Sequence, residues 1–150
     1  MATHSETIKA RAQNIANLTA DAVDKLESTI LSSAAGKMEE RLGYQMYGNY
    51  VKMFTENLYS STLEYHLLAD GQKKLFNLET AEAYYALYYL ALALKEMNEG
   101  SVIDTRIQFG EGQMNPSPIG QLIDHKDEYL RQGNRITARY GSGGMTAGVV

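Results

Sequence analysis

The histidines are the first side chains to consider for chemistry, because imidazole binds metal ions and transfers protons near neutral pH. The chain has three of them, His4, His66 and His125, and they share no motif. His66 has Asp70 one helical turn later, and His125 lies in the acidic stretch 124–128, so each can supply two metal ligands. A metal site needs three or four ligands, and the paired Glu-x-x-His motifs of di-iron bundles are missing. We therefore predict no metal site and no cofactor, and keep a metal-dependent helical-bundle enzyme built on His66 and His125 as one alternative.

Glycine-rich stretches are the next candidates, because backbone amides in such loops can bind phosphate groups. Gly110 and Gly112 begin a G-x-G pattern, but Asn115 takes the place of the third glycine, and no predicted helix follows the glycines of residues 141–144. The sequence has no G-x-S-x-G nucleophile motif. Its lack of cysteine excludes thiolate catalysis, disulfides and cysteine-bound zinc. These observations predict a protein that is not an enzyme.

Length and charge limit the class of partner. The 150 residues suffice for a single folded domain, and 14 Lys+Arg are spread among 18 Asp+Glu for a net charge of -4. A chain without a basic block does not suit a nucleic-acid clamp that neutralises phosphates.

The N-terminal stretch lacks the apolar core of a secretory signal, so we expect an intracellular protein. The chain has 11 tyrosines and no tryptophan, and tyrosine suits surfaces that become half-buried against a partner, with ordinary core positions as the alternative.

The stretch from Glu79 to Met97 is the element that must position the rest of the chain. Nearly all of its residues favour a helix, and its apolar side chains go almost all the way round, which predicts a central core helix. Its unbroken apolar part, residues 83–94, is too short and too rich in tyrosine to cross a bilayer, so we predict no membrane association. We assign four of its tyrosines to an interface with a partner: Tyr84, Tyr85, Tyr88 and Tyr89.

The first part of the predicted domain is helical. Residues 1–18 form an N-terminal arm, for which a short helix and an extended conformation are both open. Thr19 is the expected N-cap of an amphipathic helix that ends at Gly43, the expected left-handed C-terminal glycine, with a break or kink near Ala35 and Gly36.

Two more helices complete the predicted bundle, residues 19–140. An irregular connector at residues 42–50 leads into a helix over residues 51–68, which Asp70-Gly71 stops. The last helix has Ser117 as its cap and Pro118 in its first position.

A change of periodicity separates the last two helices. Residues 101–109 alternate apolar and polar groups, which predicts one strand whose covered face carries Ile103, Ile107 and Phe109. A lone strand must pair in a short hairpin or with a neighbouring copy, so we assign these residues to an interface. The glycine-rich tail, residues 141–150, cannot form a core, and we predict that it docks on another subunit or another protein of the same assembly through Met145, Val149 and Val150. The predicted fold is thus mainly α: a bundle of about four helices with one strand or short hairpin and extended termini.

One pattern in the first half is similar to a known family. It runs from Ile30-x-x-x-Ala34 through Lys37-x-x-x-Arg41 to Leu42-Gly43-x-x-Met46-Tyr47. Followed by two helices and an alanine- and tyrosine-rich helix, it resembles the head-tail connector adaptors of tailed bacteriophages, also called head-completion or neck proteins. There an N-terminal helix ends in a similar Leu-Gly-x-x-aliphatic-Tyr step. The resemblance covers residues 19–140 and concerns helix order more than fixed residues, and this chain offers one clear strand where the family has two.

The resemblance implies a structural protein of the virion neck, assembled in the host cytoplasm. Such proteins form a homo-oligomeric ring, commonly of twelve copies, between the portal protein and the tail or other neck proteins, and the ring provides the channel for double-stranded DNA. The alternative from a different class is a helical protein-interaction module of the host, which binds a partner through the four tyrosines of the central helix.

Overall fold

The computed structural model describes residues 3–56, 64–99 and 118–140. The regular structure in these ranges is helical, which confirms the prediction of a mainly α protein. The elements are α1 (His4–Ala16), α2 (Ala20–Asp24), α3 (Ser28–Leu42), α4 (Tyr44–Thr55), a 3₁₀ turn (Tyr65–Leu67), α5 (Asp70–Glu99), α6 (Pro118–Asp124) and α7 (Lys126–Tyr140). The strand or hairpin predicted for residues 101–109 and the tail, residues 141–150, lie outside the described residues. Among the helices described, none combines the length and apolar character that a membrane span requires.

Helix α5 is the centre of the bundle. It has 30 residues, which corresponds to about 45 Å, and the other helices that pack on it are α1, α3, α4, α6 and α7. Its buried apolar side chains come from every side of the helix and continue over six turns: Leu75, Leu78, Ala81, Ala83, Tyr85, Ala86, Leu87, Leu90, Ala91 and Leu94. The predicted central core helix is therefore present.

The start of α5 differs from the prediction. Asp70-Gly71 does not stop a preceding helix but forms the first turn of α5, nine residues before Glu79. The Gln72 side chain accepts a hydrogen bond from the Ala69 backbone N–H at 2.8 Å, which is one half of a capping box, and the carboxylate of Asp70 suits the positive end of the helix dipole. These local interactions and the burial of Leu75 outweigh the turn preference of an Asp-Gly pair.

The N-terminal residues form helix α1, one of the two conformations that the sequence left open. The Thr3 hydroxyl accepts a hydrogen bond from the Glu6 N–H at 3.2 Å, and α1 ends at Asn17 in a left-handed conformation with φ 53°. Ile8 and Ala12 are buried in the same core as α5. Residues 4–16 thus belong to the packed bundle.

The next predicted helix is divided at a different place from the one expected. Thr19 caps α2 as predicted, since its hydroxyl accepts a hydrogen bond from the Ala22 N–H at 3.2 Å. The helix is interrupted between Asp24 and Ser28, and α3 then continues through Gly36. The prediction of a break at Gly36 is wrong, because α3 is continuous from Ser28 to Leu42. A helical glycine costs about 1 kcal/mol relative to alanine, and the burial of neighbouring side chains of α3, including Met38, offsets that cost.

Gly43 forms a sharp corner between α3 and α4. Its φ of 86° is positive, a conformation in which a side chain is strained, but its ψ of 161° differs from the predicted left-handed helical conformation. Helix α4 starts at the next residue, so the irregular connector predicted at residues 42–50 is wrong. The continuous helix predicted over residues 51–68 is also wrong, since α4 ends at Thr55 and Tyr65–Leu67 form the 3₁₀ turn. Residues 57–63 of that predicted helix lie outside the described residues. The burial of Tyr50 against the bundle explains why this glycine-containing stretch is helical.

The C-terminal pair of helices begins at Pro118, as predicted, but His125 separates α6 from α7. Helix α7 runs antiparallel to α5. The Tyr140 hydroxyl accepts from Asn77 at 3.0 Å near the start of α5, and the Tyr129 ring lies 6.3 Å from the Tyr84 ring further along it.

Candidate functional site

The predicted interface tyrosines of α5 do not share one environment. Tyr85 is fully buried, and its hydroxyl donates to Asn134 Oδ1 at 2.8 Å and lies 3.0 Å from Thr137 Oγ1 of α7. Burial raises the pKa of the Tyr85 phenol. Because both its ring and its hydroxyl are used inside the bundle, Tyr85 is a core residue and cannot contact a partner of the folded chain. Its ring occupies the space that the missing side chain of Gly133 leaves open.

The other three tyrosines are half-buried. Tyr84 and Tyr89 pack against the core, and burial, followed by the neighbouring Tyr88, raises the pKa of Tyr89. The ring of Tyr88 contacts Tyr89 edge-on at 5.1 Å. Leu92 follows Tyr88 by one helical turn and is also half-buried. We call Tyr88 and Leu92 the α5 apolar patch.

The remaining predicted interface residues cannot be placed. They are Ile103, Ile107 and Phe109 of the predicted strand and Met145, Val149 and Val150 of the tail, and all six lie outside the described residues. Their assignment to an interface stays a prediction.

A cluster of polar side chains joins three helices near the N-terminal half of α5. His4 Nε2 of α1 lies 2.9 Å from Glu82 Oε1, and its Nδ1 lies 3.8 Å from Glu79 Oε2. The Tyr50 hydroxyl of α4 donates to the same Glu82 oxygen at 2.6 Å. The Phe54 ring stacks on the imidazole, with centroids 3.7 Å apart. We call these residues the His4 cluster.

The spacing of the two carboxylates explains how α5 builds this cluster. Glu79 and Glu82 are three residues apart, so they lie on one face of the helix, and both are about 4% exposed. A buried carboxylate is costly unless it is hydrogen-bonded or paired with a cation. The side chains of α1 and α4 supply those partners, so the cluster ties both helices to α5.

Arg11 supplies the fixed positive charge of the cluster. Its Nη2 lies 3.9 Å from Glu79 Oε1, and its Nη1 donates to Thr80 Oγ1 at 2.7 Å and to the Phe76 carbonyl at 3.2 Å. The guanidinium also lies over the Phe76 ring at 3.8 Å. Arg11 therefore holds the middle of α1 on α5, as His4 holds its first turn.

The electrostatics of the cluster favour an un-ionised tyrosine. Tyr50 is fully buried, and that burial, with the charge of Glu82, raises its pKa well above the usual value. A neutral phenol has one proton to donate, and the Tyr50 hydroxyl donates it to Glu82. The arrangement is a chain of short polar contacts that fixes helices, with the His4 side chain 19% exposed at its edge.

The sequence contained a signal for this cluster that residue-type patterns did not reveal. His4 belongs to no motif, and 78 positions separate it from Glu82. The usable signal was the pair Glu79 and Glu82 within a helix that is otherwise apolar all round, because two carboxylates on a covered face require partners from elsewhere in the chain.

The other two histidines lie at opposite ends of α5. His66 lies in the 3₁₀ turn before α5, 72% exposed and 3.4 Å from the equally exposed Glu64. His125 Nδ1 contacts the Gln121 carbonyl at 2.8 Å, beside Leu94 near the other end of α5. Within residues 3–56, 64–99 and 118–140, no group of three or more His, Asp or Glu side chains is placed to hold a metal ion. The metal-dependent alternative required His66 and His125 to meet at one site, whereas they lie near opposite ends of α5.

A groove of about 660 Å³ lies where α1, α2, α6 and α7 meet the C-terminal half of α5. Its floor is apolar and its rim carries charged and polar groups. The lining residues are Ile15, Ala16, Asn17, Leu18, Thr19, Asp21, Ala22, Lys25, Leu94, Gln121, Leu122, His125 and Tyr129. No family model, curated protein or solved structure matches the chain. The His4 cluster, the groove and the α5 apolar patch are therefore the features from which a function is inferred.

Proposed function

We propose that this chain is a structural head-tail connector of a tailed phage, which forms a ring between the portal and the tail and provides the channel for DNA. The observation that carries the proposal is the corner at Gly43. The family resemblance depends on a helix that ends in a Leu-Gly-x-x-aliphatic-Tyr step, and here α3 ends at Leu42 and α4 begins at Tyr44.

Each of the four named residues of the step has a structural role at the corner. Leu42 is fully buried at the end of α3, and Gly43 supplies the positive φ that turns the chain. Met46 and Tyr47 pack on the core from the first turns of α4. After the step, the described chain continues through α4 to the long alanine- and tyrosine-rich helix α5 and ends in the pair α6 and α7.

Contacts between subunits are proposed to involve the α5 apolar patch together with the predicted strand, residues 101–109, and the tail, residues 141–150. Tyr88 and Leu92 are half-buried on a helix against which α1, α3, α4, α6 and α7 pack. Aromatic and aliphatic groups of this kind are typical of the central region of a subunit interface. The net charge of -4 suits a DNA channel, since acidic walls do not retain phosphates.

The patch is tested by comparing two tyrosine variants of the full chain. Tyr88→Glu places a charge on the patch, whereas Tyr44→Glu makes the same change at a tyrosine that is 86% exposed on α4. We expect mass photometry to show a ring for the parent chain and for Tyr44→Glu, and smaller species for Tyr88→Glu. Circular dichroism should show all three to be helical, with similar thermal midpoints.

Two results would count against the proposal at different levels. If Tyr88→Glu assembles like the parent chain, the patch is not a subunit contact. If the parent chain is monomeric at every concentration and does not co-purify with portal or virion proteins, the chain is not a connector.

The groove favours one second candidate, a host module that binds a partner protein. Its apolar floor includes Leu18, Leu94 and Leu122, and Lys25 and Asp21 lie at its rim, a combination that recurs at protein-binding sites. Affinity capture with the full chain separates the two candidates, because a connector captures portal or tail proteins and a host module captures a cellular protein.

A further inference from the structure

The outward side of α7 carries a row of arginines. Arg131, Arg135 and Arg139 follow one another at four-residue steps and are all exposed, so they lie about 6 Å apart along one side of the helix. Gly133 and Thr137 are buried on the opposite side, which packs into the bundle. We call the three arginines the α7 arginine face.

Two of these arginines have no acidic partner in the described part of the chain. Arg131 donates to Glu128 at 2.6 Å, whereas Arg135 and Arg139 form no ion pair with any residue that the structure describes. Residues 57–63 and 141–150 adjoin this end of the bundle in sequence, lie outside the described residues and contain no Asp or Glu. Lys74 of α5 adds a further cation, over the Tyr140 ring at 5.8 Å. The positive charge of the face is therefore available to a partner.

The rest of the chain has the opposite sign. Without the three arginines of the 14 Lys+Arg, 11 remain against 18 Asp+Glu, a net charge of -7. Three exposed carboxylates, Asp21, Asp24 and Glu27, lie within seven positions at α2 and just before α3, with Lys25 among them. None of the three forms an ion pair within residues 3–56, 64–99 and 118–140. We call them the α2 acidic edge, and a carboxylate is a group that the guanidinium fork of arginine binds well.

The two charged surfaces lie towards opposite ends of α5. Tyr140, the residue after Arg139, contacts Asn77, whereas Asp21 lines the groove beside Leu94. Asn77 and Leu94 are 17 positions apart, which corresponds to about 25 Å along the helix. Arg139 and Asp21 of one copy are therefore too far apart to pair, but they can pair between copies. A contact between two different surfaces leaves one surface of each sign free on the outer copies, so it repeats until a ring closes or a filament grows.

We infer that the α7 arginine face binds the α2 acidic edge of a second copy, so that copies associate head to tail. The inference rests on the proposed function, because it names two surfaces that meet between neighbouring subunits. Exposed ion pairs contribute little binding energy each, but complementary charges select which surfaces meet and speed their association. The arginine face thus sets the direction of assembly, and apolar contacts such as those proposed for the α5 apolar patch supply affinity.

Two charge-reversal variants of the full chain test the pairing. Arg135→Glu/Arg139→Glu makes both surfaces acidic, and Asp24→Lys/Glu27→Lys makes both basic. In analytical ultracentrifugation each variant alone should lose the oligomers of the parent chain. An equimolar mixture of the two should restore them, because every contact of an alternating assembly then joins opposite charges.

Two controls separate this contact from general charge effects and from misfolding. Lys9→Glu/Lys52→Glu changes the net charge by the same amount on α1 and α4, outside both surfaces, and it should assemble like the parent chain. Salt tests the parent chain itself: between about 0.1 M and 1 M NaCl the Debye length falls from about 10 Å to about 3 Å, and the association constant should fall roughly tenfold or more.

The outcomes distinguish this inference from the proposed function. Rings that persist in Arg135→Glu/Arg139→Glu, a mixture that stays monomeric although both variants are helical by circular dichroism, or association that salt does not weaken would overturn the inference and leave the connector standing. Dimers or open chains that require Arg135 and Arg139 would support the inference and contradict the connector. A parent chain that is monomeric at every concentration overturns both. If the arginines are needed to bind a DNA duplex but not for assembly, their partner is phosphate and the inference is wrong.

Discussion

Replacing Gly133 by alanine is a sharp test of the packing between α5 and α7. A Cβ atom at this position would lie 2.6 Å from Cε1 and 2.9 Å from Cδ1 of the Tyr85 ring. Carbon atoms do not approach so closely, so the ring or the helix must move. Tyr85 is fully buried and its hydroxyl is fixed by Asn134 and Thr137, which leaves the ring little room to rotate away.

The change in the free energy of unfolding combines one stabilising and two destabilising contributions. Alanine is a better helix former than glycine, which stabilises the variant by about 1 kcal/mol. Overpacking a buried site costs about 1–3 kcal/mol, and a displaced Tyr85 hydroxyl loses hydrogen bonds that are each worth about 1 kcal/mol. We expect Gly133→Ala to lower the free energy of unfolding by about 1–3 kcal/mol and the thermal midpoint by roughly 3–10 °C.

Urea unfolding followed by circular dichroism measures this difference. Gly36→Ala and Gly48→Ala are matched controls, because each is helical and exposed and nothing lies within 4 Å of the added Cβ. They should stabilise the chain by about 0.5–1 kcal/mol. In a Tyr85→Leu background, Gly133→Ala should cost much less than in the parent chain, since the two positions are in contact.

A Gly133→Ala variant that is as stable as the parent chain, or more stable, would refute a steric conflict between the added Cβ and the Tyr85 ring. A cost that remains the same in the Tyr85→Leu background would also contradict it, because the effect would then arise somewhere other than the contact between the α7 backbone and the Tyr85 ring.

Three further predictions concern Tyr50 and the tail. Tyr50→Phe removes the buried donor to Glu82 and should cost about 1–3 kcal/mol in urea unfolding, whereas Tyr44→Phe, at a residue that is 86% exposed, should cost almost nothing. Burial raises the pKa of Tyr50 well above 10, so above about pH 10 the folded chain keeps a proton that the unfolded chain loses. The free energy of unfolding should therefore be constant below about pH 10 and fall above it. Urea unfolding at several alkaline pH values should show a shallower fall for Tyr50→Phe. Truncation after Tyr140 should change the thermal midpoint little and weaken assembly; loss of folding would show that residues 141–150 belong to the core.

Features that depend on local chemistry could be predicted from the sequence. The positive φ of Gly43, the Thr19 cap and the start of α6 at Pro118 each follow from the properties of a single residue and its neighbours. The core helix within α5 could be predicted because its apolar residues cover all its sides.

Features that depend on distant residues could not be predicted from the sequence. Tyr85 resembles its neighbouring tyrosines in sequence, and it is the packing of its ring against Gly133 and the contacts of its hydroxyl with Asn134 and Thr137 that make it a core residue. His4 meets Glu82 across 78 positions, with no local pattern to indicate the contact. Glycine is also a weaker helix breaker here than its propensity indicates, since Gly36 and Gly48 lie inside continuous helices whose buried faces offset their cost.

Electron microscopy of the purified full chain tests the proposed function most directly. A connector should appear in end-on views as a closed ring with a central opening wide enough for a DNA duplex, and twelve copies of the 16.7 kDa chain would form a particle of about 200 kDa with cyclic symmetry. Single copies, or open filaments without a central channel, at concentrations where the chain is folded would contradict the account.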